Sequence, residues 1–152
     1  MTGLALVLSE LPAEIVRRHP ERVYDGGGHA EWQFHWWQTP ALLPVQWQGT
    51  FRILPWGCKD RRSRLPQGGW ISLAQVEAGA LAAARPDEVV IPANLGYHRG
   101  VWFLVEQGFR GVVLQTGPHG PVVYMLTEPS TNYFRDMTEQ SEMMPILVNQ
   151  VI

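Results

Sequence analysis

The chain has a single cysteine, Cys58, among its 152 residues. That excludes an intramolecular disulfide framework and a cysteine-cluster zinc site. Charge is also sparse, at 17% of residues, with 12 Lys and Arg against 14 Asp and Glu. A uniformly basic nucleic-acid-coating protein is excluded, although one local basic groove is not. No apolar run approaches the roughly 20 residues that a bilayer-spanning helix needs. The opening Met1-Thr2-Gly3-Leu4 lacks the basic start of a secretory signal. Gly26-Gly27-Gly28 has no Lys and helix behind it, so it is not a phosphate-binding loop. His19, His29, His35, His98 and His119 form no metal pair at helical spacing. His29 and His35 could lie near each other, but their loop and strand contexts suit structural or surface roles. We therefore expect a cytoplasmic domain with no metal and no cofactor.

What the chain does contain is 45% apolar residues, 7 Trp, 15 Gly and 12 Pro. The length fits one domain, residues 1–152, with a real core and many turns. Gly3 to Leu8 reads as a strand, and Ser9 precedes a short helix over Leu11 to Arg18 that ends near Pro20. Asp25-Gly26-Gly27-Gly28 is a break, too short for a domain linker. Trp32, Phe34 and Trp36 alternate with Gln33 and His35, as in a strand with one buried face. Val45, Trp47 and Phe51 flank a turn at Gly49, and Arg52 to Gly57 closes the block. Cys58 to Gly69 is a long loop. The Ala-rich stretch Ser72 to Arg85 reads as the best helix in the chain, halted before Pro86. Strands follow at Glu88 to Pro92, Val101 to Val105, Gly111 to Leu114 and Val122 to Leu126, with a turn at Gly117 to Pro121. A helix over Thr131 to Gln140 and a strand over Pro145 to Val148 complete the chain. Most strand-to-strand links are hairpin-sized, which favours a mainly antiparallel α+β domain over a doubly wound parallel sheet.

Two local features carry chemistry. The loop holds Lys59, Arg61, Arg62 and Arg64 against a lone Asp60, with Trp56 and Trp70 at its ends. Such cations can neutralise phosphates and indole faces can stack on bases, so a local nucleic-acid groove is one reading and an ordinary surface with core tryptophans is the other. Cys58 sits beside Lys59 and Arg61, which can activate a thiol, but a lone cysteine more often acts as a small buried apolar residue.

The order of short motifs resembles the SOS-response-associated peptidase (SRAP) family, whose domain recognises abasic sites in single-stranded DNA. Leu8-Ser9-Glu10-Leu11-Pro12-Ala13-Glu14 is similar to the family's Leu-Ser-Pro-Glu helix start. Pro55-Trp56-Gly57-Cys58 resembles its Arg-Trp-Gly-Leu motif. Ile91-Pro92-Ala93-Asn94-Leu95-Gly96-Tyr97-His98 resembles its Val-Pro-Ala-Asp-Gly-Phe-Tyr-Glu segment. Thr127 onward, with Ser141-Glu142-Met143-Met144-Pro145-Ile146, is similar to its terminal segment. The resemblance implies a site at Thr2, Ser72, His98 and Ser141, where the family carries Cys, Asn, Glu and His. The family's cysteine forms a thiazolidine with the abasic aldehyde, and Thr2 has no sulfur.

The expectation is thus an SRAP-like domain that binds single-stranded or damaged DNA, with the thiol-based crosslinking and peptidase chemistry lost or altered. Three alternatives stand beside it. Removal of Met1 would expose the Thr2 amine, which could form a Schiff base with an aldehyde, the hydroxyl closing an oxazolidine ring and His98 shuttling the proton. The aromatic strand Trp32 to Trp37 could instead serve a protein-interaction or structural module with no DNA role. A hydrolase of small substrates could use Ser72 or Ser141 with His98.

Overall fold

Period-two alternation runs through both halves of the chain, and it builds two sheets. A computed structural model describes residues 2–7, 11–25 and 30–152. Expectations that fall on Met1, on Ser9, on the glycines 26–28 and on His29 lie outside the described residues.

The first sheet has five strands. Strand β1 (Thr2–Val7) pairs antiparallel with β3 (Ala30–His35) on one side and β8 (Leu95–His98) on the other. The outer strands are β2 (Val23–Asp25) and β9 (Val101–Leu104), giving the order β2-β3-β1-β8-β9. Helix α1 (Ala13–Arg18) links β1 to β2 through a 3-10 turn at Pro20–Arg22.

The second sheet begins with the hairpin β4 (Leu42–Trp47) and β5 (Thr50–Pro55). Its two-residue turn places Gln48 and Gly49 at φ of 53° and 74°. Both central residues at positive φ match the strand twist, and glycine adopts that region freely. The remaining strands are β6 (Trp70–Ser72), β7 (Pro86–Ile91), β10 (Phe109–Leu114), β11 (Val122–Pro129) and β12 (Met143–Pro145). The order is β12-β11-β10-β7-β4-β5, with β6 joined to β11 in the sheet's parallel strand pairing. A bridge from Trp56 to Val123 links the end of β5 back to β11, so this sheet curls toward closure. The protein is α+β, with mostly antiparallel strands and, among the described residues, three short helices.

Alternation on β10 and β11 feeds two cores. Phe109, Val113, Val123 and Met125 face the first, where Leu4, Leu6, Trp32 and Phe34 of the first sheet meet Leu43, Val45 and Ile91 of the second. Val112, Leu114, Val122, Tyr124 and Leu126 face the second core. Leu65, Leu73, Val76, Leu81 and Ala84 cover that core from outside. Both faces are therefore buried, which explains why these strands read as unbroken apolar runs.

Three sequence expectations need correction. The Ala-rich segment is not one long helix. Helix α2 spans only Leu73–Glu77, Gly79 turns left-handed at φ 77°, and Ala82–Ala84 is a 3-10 turn. Alanine has high helix propensity, but Ala82 and Ala83 are exposed and supply no apolar stripe to hold a helix on the core. Helix α3 (Asn132–Met137) is likewise shorter than expected. His35 is buried rather than outward-facing, lying under the ring of Trp37 at 5.4 Å between centroids. Its Nε2 bonds to Gln33 Oε1 at 2.9 Å, and burial lowers its pKa.

Candidate functional site

Strand register makes the site. Thr2 opens β1 and lies directly opposite His98, the last residue of β8. Thr2 Oγ1 and His98 Nδ1 are 2.6 Å apart. The other ring nitrogen, Nε2, is 2.8 Å from Ser141 Oγ. Ser141 stands between α3 and β12, and both hydroxyl residues are only 4% exposed. Three of the four residues marked by motif order therefore form one hydroxyl–imidazole–hydroxyl chain.

One assignment of protons satisfies every group in the network. Ser141 Oγ has a second acceptor, the Thr138 carbonyl, at 3.4 Å. With its proton pointed there, Ser141 accepts from His98 Nε2–H. Nδ1 is then the acceptor for the Thr2 hydroxyl proton. Burial lowers the His98 pKa to about 4, with nearby positive charge, Arg99 included, a smaller contribution. At pH 7 the imidazole is neutral, with one N–H and one lone pair, as this chain of hydrogen bonds requires. Such a weak base suits handing a proton between two hydroxyls better than retaining it.

The chain opens into a cleft of about 460 Å³. Trp36 and Trp70 supply aromatic walls, while Arg99, Thr127, Glu142 and Met143 also line it. Trp36, Trp56 and Trp70 form a mutually edge-on trio, with centroids 5.2 to 5.5 Å apart. Trp56 is only 2% exposed, and its Nε1 donates to the Gly69 carbonyl at 2.9 Å. It supports the other two rings and has no free face for a base, contrary to the sequence expectation. Trp36 takes that place, because β3 ends at His35 and the next side chain turns into the cleft.

Lys59 reaches the same wall. Its Nζ donates to the Trp36 carbonyl at 2.6 Å and lies 4.4 Å from the Trp36 ring centroid, a cation–π geometry. The other basic residues of the loop are elsewhere. Arg62 and Arg64 line a separate cleft, and Arg61 is exposed and lines neither. Ser72 is also absent from the site. It caps α2, its Oγ accepting from Gln75 N at 3.2 Å while Gln75 Oε1 returns to the Ser72 backbone. Ser-x-x-Gln is the sequence signature of that capping box.

No family model, no curated protein and no solved structure matches this chain. The site must be read from its own geometry. Among the described residues, no group of three or more His, Cys, Asp or Glu could hold a metal ion, and no helix is long and apolar enough to cross a membrane. Cys58 is buried and donates weakly to the Asp60 carbonyl at 3.4 Å, the setting of a structural thiol. Of the aromatic strand, Trp32 and Phe34 are fully buried in the core; Trp37, just beyond its end, is 51% exposed. Trp36 and Arg99 are the site residues that motif order missed. Arg99 adjoins His98 in sequence, which was the available signal.

Proposed function

We propose that the protein is an SRAP-like domain that binds single-stranded or damaged DNA in the cleft beside Thr2, His98 and Ser141, without the family's thiol chemistry. One observation carries the reading. Residues 2, 98 and 141, which the motif order aligns with the SRAP site, meet within hydrogen-bond distance although they lie far apart in the chain. The surroundings suit an unpaired nucleotide: Trp36 and Trp70 offer aromatic surface, and Lys59 and Arg99 offer charge for phosphates. A slightly negative whole chain, at −2, is compatible with this because the cations act locally.

The test is binding of a fluorescent single-stranded oligonucleotide, followed by anisotropy as salt rises from about 50 to about 200 mM. Counterion release demands a steep, linear fall of log affinity with log salt. Absence of binding at low salt would sink the reading and favour a module with no DNA role.

A second reading is favoured by the short contact between Thr2 Oγ1 and His98 Nδ1. If Met1 is removed, the Thr2 amine attacks an abasic aldehyde carbon and water leaves, forming an imine. The Thr2 hydroxyl then adds to that carbon, and its proton passes through His98 to the nitrogen, closing an oxazolidine. Oxygen is a poorer ring-closing nucleophile than sulfur, so the adduct reverses more readily. Borohydride trapping on abasic single-stranded DNA should yield a covalent species whose DNA remnant maps by peptide mass spectrometry to the Thr2 nitrogen; a remnant found only on lysine would count against the reading. An intact mass that retains Met1 would refute this reading without a binding experiment.

A further inference from the structure

The basic loop faces two ways, and its second face builds a cleft of its own. This cleft, of about 830 Å³, is walled by three separate segments: the loop at 60–66, the turn at 80–84 and the turn at 116–119. Its floor is apolar and anchored, since Leu65, Leu81 and Ala84 pack directly on the second core. The loop wall is also held in place. Tyr124 Oη donates to the Pro66 carbonyl at 2.7 Å, Gln67 Nε2 donates to the Asp60 carbonyl at 2.8 Å, and backbone bonds between Cys58 and Gly68 tie its ends.

The rim has an excess of positive charge. Arg62 and Arg64 stand against one carboxylate, Asp60. Asp60 Oδ1 already accepts from the Arg62 backbone N–H at 3.0 Å and from Arg62 Nε at 3.3 Å. It is therefore spent on Arg62, while Arg64 has no acidic partner among the described residues and His119 faces the same space. A guanidinium over an apolar floor matches one ligand chemistry: a single carboxylate or phosphate carried on an apolar or planar body.

We propose that this second cleft binds a small organic anion, with Arg64 meeting the anionic group and Leu65, Leu81 and Pro118 meeting its body, independently of the Thr2 site. That chemistry could come from a free amphiphilic carboxylate or from a nucleotide. The probe is 1-anilinonaphthalene-8-sulfonate, whose emission rises in an apolar cleft, with displacement by laurate in one arm and by adenosine monophosphate in the other. Displacement by either is the expected result and names the source. Binding should weaken at least tenfold in Arg64→Glu and in Ala83→Trp, which fills the cleft from an exposed position. It should be unchanged in His98→Gln. Circular dichroism must show both cleft variants folded. Equal probe binding in wild type and both folded variants would overturn the proposal. So would displacement by neither ligand, or loss of probe binding in Trp70→Ala with the two cleft variants normal. If Arg64→Glu lowers only oligonucleotide affinity, the cleft is an extension of the DNA groove and the proposal fails while the DNA reading stands.

Discussion

Replacing His98 by Gln tests the relay through its proton. The imidazole titrates near 4 in the folded protein, because burial disfavours the charged form and Arg99 adds repulsion. In the unfolded chain the same group titrates near its ordinary value of about 6.5. Between those values the unfolded state binds more protons, so stability is complete above about pH 6.5 and declines as pH falls toward 4. Going from pH 7 to pH 4.5, two-state linkage with these values removes roughly 2–3 kcal/mol. For a protein of this size that is roughly 5–10 °C in midpoint temperature. Gln cannot titrate, yet its amide can offer one donor and one acceptor. Thermal melts of wild type and His98→Gln at pH 7 and pH 4.5 isolate the effect, since His35, also depressed by burial, contributes to both proteins. The wild type should lose that much more stability than the variant. Parallel losses in the two proteins would refute a buried neutral imidazole at the centre of the site.

Other perturbations separate the site from its support. Trp70→Ala should weaken single-stranded DNA binding by about 1–3 kcal/mol, the usual contribution of one base stacked on an aromatic ring, in an anisotropy titration. Lys59→Glu should weaken it for all sequences alike and reduce the log–log salt slope by about one or more, if Lys59 contacts one phosphate. Gly69→Ala would put a methyl group 2.5 Å from Trp56 Nε1 and 3.0 Å from the Trp36 ring. The tryptophan trio must then shift, at a cost of about 1–3 kcal/mol in urea unfolding, with altered tryptophan emission. Arg22 is 2% exposed, donates to Gln38 Oε1 and to the Pro40 carbonyl, and stacks over Phe34. Arg22→Ala should lower stability by about 3 kcal/mol, through the packing lost over Phe34 and the loss of two charge-assisted hydrogen bonds, with Gln38 Oε1 keeping only the His35 N–H.

What the sequence makes legible follows from how far apart the interacting groups lie. Alternation around Trp32 and Phe34 identifies a strand, and both side chains enter the core. The Gln48-Gly49 hairpin is legible for the same local reason. The extent of α2 is not, because the helix is limited by what its outer residues can bury and not by alanine's propensity. Ser72 shows how a local pattern can be misassigned. Its Ser-x-x-Gln spacing is a cap, and the structure uses it as one. Trp56 shows the opposite problem, since nothing in Pro55-Trp56-Gly57 says that its faces are covered by Trp36 and Trp70.

The site itself depends on register. Thr2 meets His98 because β1 and β8 pair with those residues opposite, in the same register that sets Gly3 against Tyr97 and Leu4 against Gly96. A slip of one residue would put Gly3 opposite His98 and remove the hydroxyl. It would also turn Leu4 and Leu6 out of the core, since side chains alternate faces along a strand. Burial of those two leucines therefore fixes the contact between Thr2 and His98. Ser141 joins through a different element, carried beside the imidazole by the turn after α3, and has no such protection. Substitutions that loosen α3, whose Phe134 is fully buried and lies 5.5 Å from the His98 ring, should release Ser141 first and leave the Thr2–His98 pair intact. Phe134→Leu should therefore shift the His98 imidazole resonances without abolishing the contact to Thr2. Simultaneous loss of both hydrogen bonds would show that the relay is one rigid unit instead.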